Sequence, residues 1–342
     1  MVNKKRVLLT GVSGSIGIHT LIHIFHNTNW DVVGIATFKH KGLGERITEM
    51  FREHPEYWKR FKLVTHDLTE PITKKVKKQI GKVDYIINLA SLSDVEASIQ
   101  VPVPFMKNNI DLMYTLLEYA REIKPEVFIQ FSTDEVYGPS GRTQKHPEWS
   151  PIIPSNPYSA SKACQEAIAI SYWRTYNVPV VITNTMNNFG EYQQSSKYPV
   201  IIQRAVESGD ILTIHGSEDG KDIGTRYYIH SRNASDALLF ILNKLPPHMH
   251  EPNAIDKPDR YNIVGDKQVD NLELAKLIAK QMGKPLNYQM VDAHSGRPGH
   301  DRHYGLDGKK LKKLGWTSPV SFEDSMKNTL DWQSEHNDWI NL

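Results

Sequence analysis

A chain of 342 residues, 39% hydrophobic and 23% charged, can bury one large core, or a large domain with a smaller one attached. Its 41 basic and 39 acidic side chains leave a formal net charge of +2, which excludes a basic field driving nonspecific nucleic-acid or membrane binding. The single cysteine, Cys164, excludes an intrachain disulfide and fits a reducing compartment. The apolar run Val7-Leu8-Leu9 is too short for a signal peptide or a membrane span, so a cytoplasmic protein is expected.

Through the first two-thirds of the chain, short β-branched runs alternate with longer amphipathic stretches. The pattern predicts strands at Arg6–Thr10, Asp31–Ala36, Lys62–His66, Val83–Leu89, Val127–Ser132 and Val178–Thr183. Helices are predicted between them at Ser15–His26, Ile72–Ile80, Pro104–Ile123 and Pro157–Tyr176. Nearly continuous apolar strands such as Tyr85-Ile86-Ile87-Asn88-Leu89 suit a sheet buried on both faces. After about Asn184 the loops lengthen, and further helices are predicted at Val200–Glu207, Ala234–Asn243, Asn271–Met282 and Ser321–Glu335. The expected fold is α/β: a Rossmann-like doubly wound parallel sheet over residues 1–184, with a smaller C-terminal α/β substrate lobe over 185–342. Segments of the two are free to interleave. No internal repeat or low-complexity tract interrupts the chain.

The first strand runs into Gly11-Val12-Ser13-Gly14-Ser15-Ile16-Gly17 and then a helix. Glycines there let the backbone turn sharply and approach a pyrophosphate, which would sit on the free N–H groups of the helix N-terminus. The second strand ends Ala36-Thr37-Phe38-Lys39-His40 without the carboxylate that usually receives the ribose hydroxyls of NAD. Lys39, His40 and Lys41 could receive a 2′-phosphate, so the cofactor is read as NAD(P), with a lean to NADP. Asp67, after the third strand, could hydrogen-bond the adenine.

Tyr158-Ser159-Ala160-Ser161-Lys162 places a phenol and an ammonium one helical turn apart. Lys162 would lower the phenol's pKa and hold the nicotinamide ribose. Tyr158, as phenolate, could then take a hydroxyl proton while hydride leaves the carbon. Ser132-Thr133 closes the preceding strand and could hydrogen-bond the same hydroxyl.

Gly11–Gly17, Tyr158 and Lys162 together resemble the extended short-chain dehydrogenase/reductase family. Further segments resemble its nucleotide-sugar 4,6-dehydratases, of the dTDP-glucose 4,6-dehydratase type: Asn88-Leu89-Ala90-Ser91, Phe131-Ser132-Thr133-Asp134-Glu135-Val136-Tyr137-Gly138, Asn187-Asn188-Phe189-Gly190-Glu191-Tyr192-Gln193 and Arg297-Pro298-Gly299-His300-Asp301-Arg302. The closing Leu314-Gly315-Trp316 also fits, so the likeness covers essentially the whole chain. Thr133-Asp134-Glu135 is its most specific element, because it separates dehydratases from epimerases of the same fold.

The resemblance implies a lyase of deoxysugar biosynthesis. Oxidation at carbon 4 makes a ketone and acidifies the proton on carbon 5; water is eliminated across carbons 5 and 6, and the hydride returns to carbon 6. Glu135 would be the base, Asp134 the acid, and Thr133 would orient the 4-hydroxyl; adjacent carboxylates repel, which favours keeping one protonated. Leu68 and Leu89-Ala90-Ser91 join the implied cofactor contacts. Ser93, Asp94, Asn109, Asn187, Asn188, Lys197, Arg226, Asn262, Arg297 and His300 are the implied substrate contacts, and a guanidinium at Arg226 would suit a diphosphate. The partner would be a dTDP-, UDP-, CDP- or GDP-hexose, with no nucleic acid or membrane involved. The family's helices equivalent to Pro104–Ile123 and Pro157–Tyr176 form a four-helix bundle, implying a homodimer. No His, Asp or Glu spacing resembles a metal site, and no metal is expected.

Three departures bear on substrate and cofactor. Glu-Ser-His-Val-Asp of such dehydratases is Leu92-Ser93-Asp94-Val95-Glu96 here; Arg-Asp-Trp or Arg-Asp-Tyr is Arg226-Tyr227-Tyr228; and the acid near Thr37 is missing. A 4-epimerase or a 5,6-dehydratase of the same fold remains an alternative, since the latter shares the oxidation and elimination. A non-catalytic dinucleotide-binding regulator is the alternative from another class, though it could dispense with Tyr158 and Lys162.

Overall fold

The computed structural model describes residues 4–39, 43–217, 222–292, 299–336 and 339. The first half runs β1 (Arg6–Thr10), α1 (Ser15–Asn27), β2 (Asp31–Ala36), α2 (Leu43–Glu53), β3 (Phe61–Thr65), α3 (Lys74–Ile80), β4 (Tyr85–Asn88), α4 (Val95–Gln100), α5 (Pro102–Ile123), β5 (Val127–Thr133), α6 (Pro157–Tyr176) and β6 (Val180–Thr185). The second half runs β7 (Asn187–Phe189), α7 (Tyr198–Ser208), β8 (Leu212–Gly216), β9 (Thr225–His230), α8 (Ser231–Lys244), β10 (Asp259–Ile263), β11 (Gln268–Asp270), α9 (Asn271–Met282), β12 (Tyr288–Asp292), α10 (Lys309–Lys313) and α11 (Phe322–Glu335).

Seven strands form one sheet in the order β10-β6-β5-β4-β1-β2-β3, every neighbouring pair parallel. Residue alternation assigns its two faces. Val7 and Leu9 of β1 join a core with α1, α2 and α8, whereas Leu8 joins another with α3, α5 and α6. Strands β4, β5 and β6 are buried at every position, the signature of a sheet covered on both sides. Strand β10 comes from beyond residue 184, and α8 packs on α1, so the second half of the chain helps complete the first.

The remaining strands make two small sheets, β11-β9-β7 and β12-β8, over a third core with α7, α9 and α11. The main sheet reverses its strand order between β1 and β4, and ligands of doubly wound folds bind beyond the strand ends at such a reversal. No helix among the described residues is long and apolar enough to cross a membrane.

Candidate active site

A cleft of about 1400 Å³ lies over the C-terminal ends of β1, β2, β4 and β5 and under the small sheets. Its floor at one end is the β1–α1 turn. Gly11 holds φ +63°, and a Cβ on Gly17 would stand 2.2 Å from the Gly11 carbonyl oxygen, so both positions require glycine. The N-cap, Gly14, has no side chain to occupy the amides of the first turn of α1, whose residues Ser15, Ile16 and Gly17 line the cleft. Ser13, Ser15 and Ile16 line the same wall, with Thr37, Lys39, Asp67, Leu68, Leu89, Ala90 and Ser91 around it. This cradle fits the pyrophosphate of a dinucleotide.

Lys39 is not a bare cation there: its ammonium pairs with Asp67. Although burial pushes the Asp67 carboxyl up, the hydrogen bonds from Lys39 and Thr69 hold it down at about 2. His40 lies outside the described residues. Arg46, on α2, was not anticipated; its buried guanidinium donates to the Tyr192 carbonyl at 2.8 Å and lines the cleft beside Trp339.

Thr133 ends β5 and caps the short 3-10 turn Asp134–Tyr137, accepting from the Glu135 amide. The turn is sharp because Gly138 follows at φ +75°, where a Cβ would stand 2.1 Å from the Ile153 carbonyl oxygen. Its effect is to swing two consecutive carboxyls under the cleft. The Thr133 hydroxyl donates to Asp134 Oδ1 at 2.9 Å, while Asp134 Oδ2 is buried without a hydrogen-bond partner among the described residues. Burial, and then the neighbouring Glu135, push Asp134 up to about 7. Burial also raises Glu135, against a hydrogen bond from Asn156 and the positive charge of Arg226.

Tyr158 and Lys162 face the cleft from the first turns of α6. The start of this helix is written in Asn156-Pro157: Asn156 forms a capping box with Ser159, and proline occupies the first turn. The Tyr158 phenol hydrogen-bonds Thr133, and burial together with Glu135 and Asp134 raises its pKa. Lys162 donates to the Phe131 carbonyl and to Gln165 Oε1, each at 2.7 Å. Burial brings Lys162 down to about 7, against the attraction of Glu166.

The expected substrate residues divide. Ser93, Asp94, Asn187, Asn188, Lys197, Arg226 and His300 all line the cleft. Asp94 also caps α4, and His300 pairs with Glu96 at 3.0 Å. Asn188 leaves Oδ1 buried without a hydrogen-bond partner among the described residues, and Lys197 precedes the first turn of α7. The Arg226 guanidinium is committed to the carbonyls of Thr225, Arg302 and Asp301 and stacks 4.2 Å from the Tyr304 ring centre. Two residues are not brought to the cleft. Asn109 is fully buried, holding both backbone groups of Leu92 and the Ser161 hydroxyl, and its neighbour Asn108 lines the cleft instead. Asn262 is spent on the carbonyls of His146 and Asp307. Arg297 lies outside the described residues.

Comparison with known proteins agrees with this fold. The family model described as GDP-mannose 4,6 dehydratase matches residues 8–329. The Agl12 protein of low-salt glycan biosynthesis from Haloferax volcanii is 32% identical over 95% of this chain and 97% of its own length. A dTDP-glucose 4,6-dehydratase of Escherichia coli is 30% identical over 98% of this chain and 95% of its own. The solved dTDP-glucose 4,6-dehydratase DesIV of Streptomyces venezuelae, with NAD bound, superposes with a TM-score of 0.83 at 26% identity, covering 98% of both chains. A UDP-glucuronic acid 4-epimerase of Bacillus cereus shares the fold at a TM-score of 0.83 and 23% identity, covering 97% of this chain and 99% of its own.

Proposed function

The chain belongs to the GDP-mannose 4,6-dehydratase family, among the nucleotide-sugar dehydratases of the extended short-chain dehydrogenases/reductases, and from that premise we propose how its residues divide the work of a nucleotide-sugar 4,6-dehydratase. The carrying observation is the Asp134-Glu135 pair, set side by side in the cleft below Thr133 and Tyr158, with one carboxyl oxygen buried and unpartnered among the described residues. A 4-epimerase needs no acid to expel a hydroxyl group; an elimination does.

NAD(P), when bound, supplies the oxidant that takes hydride from carbon 4 of the sugar and gives it back at carbon 6. The Gly11–Gly17 turn would hold its pyrophosphate, and Lys162 its nicotinamide ribose. We read the cofactor as NAD, which the similar DesIV structure binds, because Asp67 neutralises the Lys39 charge that favoured a 2′-phosphate.

Thr133 orients the 4-hydroxyl, and Tyr158 takes its proton as the phenolate, which the positive charge of Lys162 favours against the burial and the carboxyls that raise the phenol. Glu135 then removes the proton from carbon 5, and gives it back to carbon 5 when hydride adds at carbon 6. Asp134, which retains its proton up to about pH 7, gives it to the departing carbon-6 hydroxyl, and one water leaves. Asn187, Asn188 and Lys197, with the N-terminus of α7, are proposed to hold the nucleoside diphosphate. Arg226 serves differently: clamped between β9 and the 301–302 turn, its charge acts on Asp134 and Glu135. The division into a dinucleotide half, residues 1–184, and a sugar-nucleotide half, 185–342, is proposed with β10 crossing over. A homodimer through α5 and α6 is also proposed, since Val103, Tyr114 and Tyr176 stand exposed on them; light scattering reads it directly.

The deciding experiment incubates the purified protein, without added cofactor, with dTDP-glucose, UDP-glucose, UDP-N-acetylglucosamine, CDP-glucose and GDP-mannose in turn. Loss of water by mass spectrometry, with a new carbon-6 methyl by proton NMR, is the expected result for one of them. Water loss without the methyl would make it a 5,6-dehydratase, and a new isomer of unchanged mass an epimerase. Cofactor released on denaturation identifies NAD or NADP in the same run.

A further inference from the structure

Beneath the cleft, four polar side chains are almost completely buried in one row: Thr10 on β1, Asn88 on β4, Gln130 on β5 and Gln165 on α6. The Ala90 amide donates to Thr10 Oγ1 at 3.1 Å, and the Thr10 hydroxyl donates to Asn88 Oδ1 at 2.7 Å. Asn88 Nδ2 donates to Gln130 Oε1 at 2.8 Å, and Gln130 Nε2 to Gln165 Oε1 at 3.0 Å. Gln165 Nε2 ends the row on the Asn109 carbonyl at 2.8 Å. Each member donates in the same sense, so turning any one amide over sets donor against donor on one side and acceptor against acceptor on the other.

Such a row is a costly way to fill a sheet interior, because buried amides must all be satisfied whereas apolar side chains need no partners. Its geometry has one consequence at the cleft: Gln165 presents its oxygen, never its NH2, to Lys162 Nζ at 2.7 Å. The Phe131 carbonyl takes a second ammonium N–H at 2.7 Å. An ammonium has three, and the third is left for the cleft that Lys162 lines.

We propose that Gln165 is a positioning residue for Lys162, its orientation locked by the Thr10-Asn88-Gln130 row, so that one ammonium N–H points into the cleft and the ion meets a neutral oxygen rather than a carboxylate. The neutrality matters to chemistry. A carboxylate at this place would pull the charge towards itself and away from the phenol it must assist; the amide leaves the charge free to act on the cleft. Burial lowers the lysine's proton affinity in the same direction. The ionisable groups facing Lys162 along α6 are Glu166, itself held by Arg260 and Asn184 at 2.7 and 2.8 Å, and Tyr158 one turn back.

The inference rests on the dehydratase reading for its purpose, though not for its measurement. The protein, with whatever dinucleotide it retains, is labelled with [ε-13C]lysine, and Lys162 is assigned by loss of its signal in Lys162→Met. Its titration is followed by NMR in wild type, Gln165→Glu and Gln165→Leu. The expected order of proton affinity is Glu above Gln above Leu, with Gln165→Glu raised by about tenfold or more. In turnover of whichever sugar nucleotide the screen identifies, both variants should lose kcat by about tenfold with little change in KM, and the pH profile should move with the lysine.

Titration of Lys162 at the same pH in all three proteins would overturn the proposal and reduce Gln165 to a filler of space. Should Gln165→Leu fail to fold, the isosteric Gln165→Glu carries the test by itself. A wild type that shows the ordered titration but dehydrates none of the five sugar nucleotides would sink the functional reading and leave the positioning role standing.

Discussion

Asn156 donates through Nδ2 to Glu135 Oε2 at 3.0 Å, while its Oδ1 accepts from the Ser159 amide at 2.9 Å. One amide therefore starts the helix that carries Tyr158 and Lys162 and also holds the carboxylate proposed as the base. Asn156→Ala should lower stability by about 1 kcal/mol through the lost cap. Its kcat should fall further than that loss explains. Asn156→Asp keeps the cap but sets a second carboxylate against Glu135, so thermal unfolding close to wild type with activity reduced about tenfold or more is expected.

Asp134 ties activity and stability to the same titration, and both fall as pH rises through it, whereas its replacement by Asn should move them in opposite directions. Its carboxyl is raised to about 7, so the acid form is present below that pH, and kcat/KM should fall as pH rises through about 7. Asp134→Asn should lose about 10²–10⁴-fold in kcat. Between its ordinary value and about 7 the folded chain binds a proton the unfolded chain has released, so this group's contribution to stability declines as pH rises there. Asp134→Asn should accordingly unfold at a higher temperature than wild type at pH 8, and a lower temperature would contradict the assignment.

A second titration lies outside the cleft. His19 on α1 approaches Glu191 at 3.2 Å, and His230 at the end of β9 donates to the same carboxyl oxygen at 3.0 Å. His230 Nδ1 accepts from the Arg232 amide, so its Nε2 carries the hydrogen. Burial takes His19 down to about 3, against the attraction of Glu191. The unfolded chain binds its proton near pH 6.5 and the folded chain does not, so stability is full above about 6.5 and falls by up to about 1.4 kcal/mol per pH unit below it. Thermal unfolding followed from pH 7 to pH 4 should show this slope, and His19→Gln should flatten it.

The Lys39–Asp67 pair predicts cofactor choice. Asp67→Asn leaves the ammonium uncompensated, and affinity for NADP relative to NAD should rise by about tenfold, measured by titrating both into protein stripped of its dinucleotide. An unchanged ratio would mean that Lys39 does not face the adenosine ribose.

Much of the first half was readable because its signals are local. Strand ends at Thr10, Ala36 and Tyr176's helix end fall where hydrophobic runs and glycines put them. Helix α2 was not anticipated: Ile47, Met50 and Phe51 are few among the charges of its exposed face. Strands β7 and β11, three residues each, are too short for an alternation to be counted, and their pairing with β9 spans distant sequence. The Asn-Pro pair before Tyr158 was a readable cap signal, yet nothing local connects Asn156 to Glu135, 21 residues away.

By itself, the sequence determined six of the sheet's seven strands, all but β10, together with the glycine turn, the helical spacing of Tyr158 and Lys162, and the neighbouring carboxyls Asp134 and Glu135. These follow from residue type, periodicity and spacing along one stretch of chain. Only the tertiary structure decided that burial raises the Asp134 carboxyl to about 7, that Lys39 meets Asp67, and that Lys162 turns to Gln165 and Phe131. It likewise turned Asn109 and Asn262 inward, onto carbonyls no motif names. Burial and the pairing of distant charges set those outcomes, and both exist only once the chain has closed over its cleft.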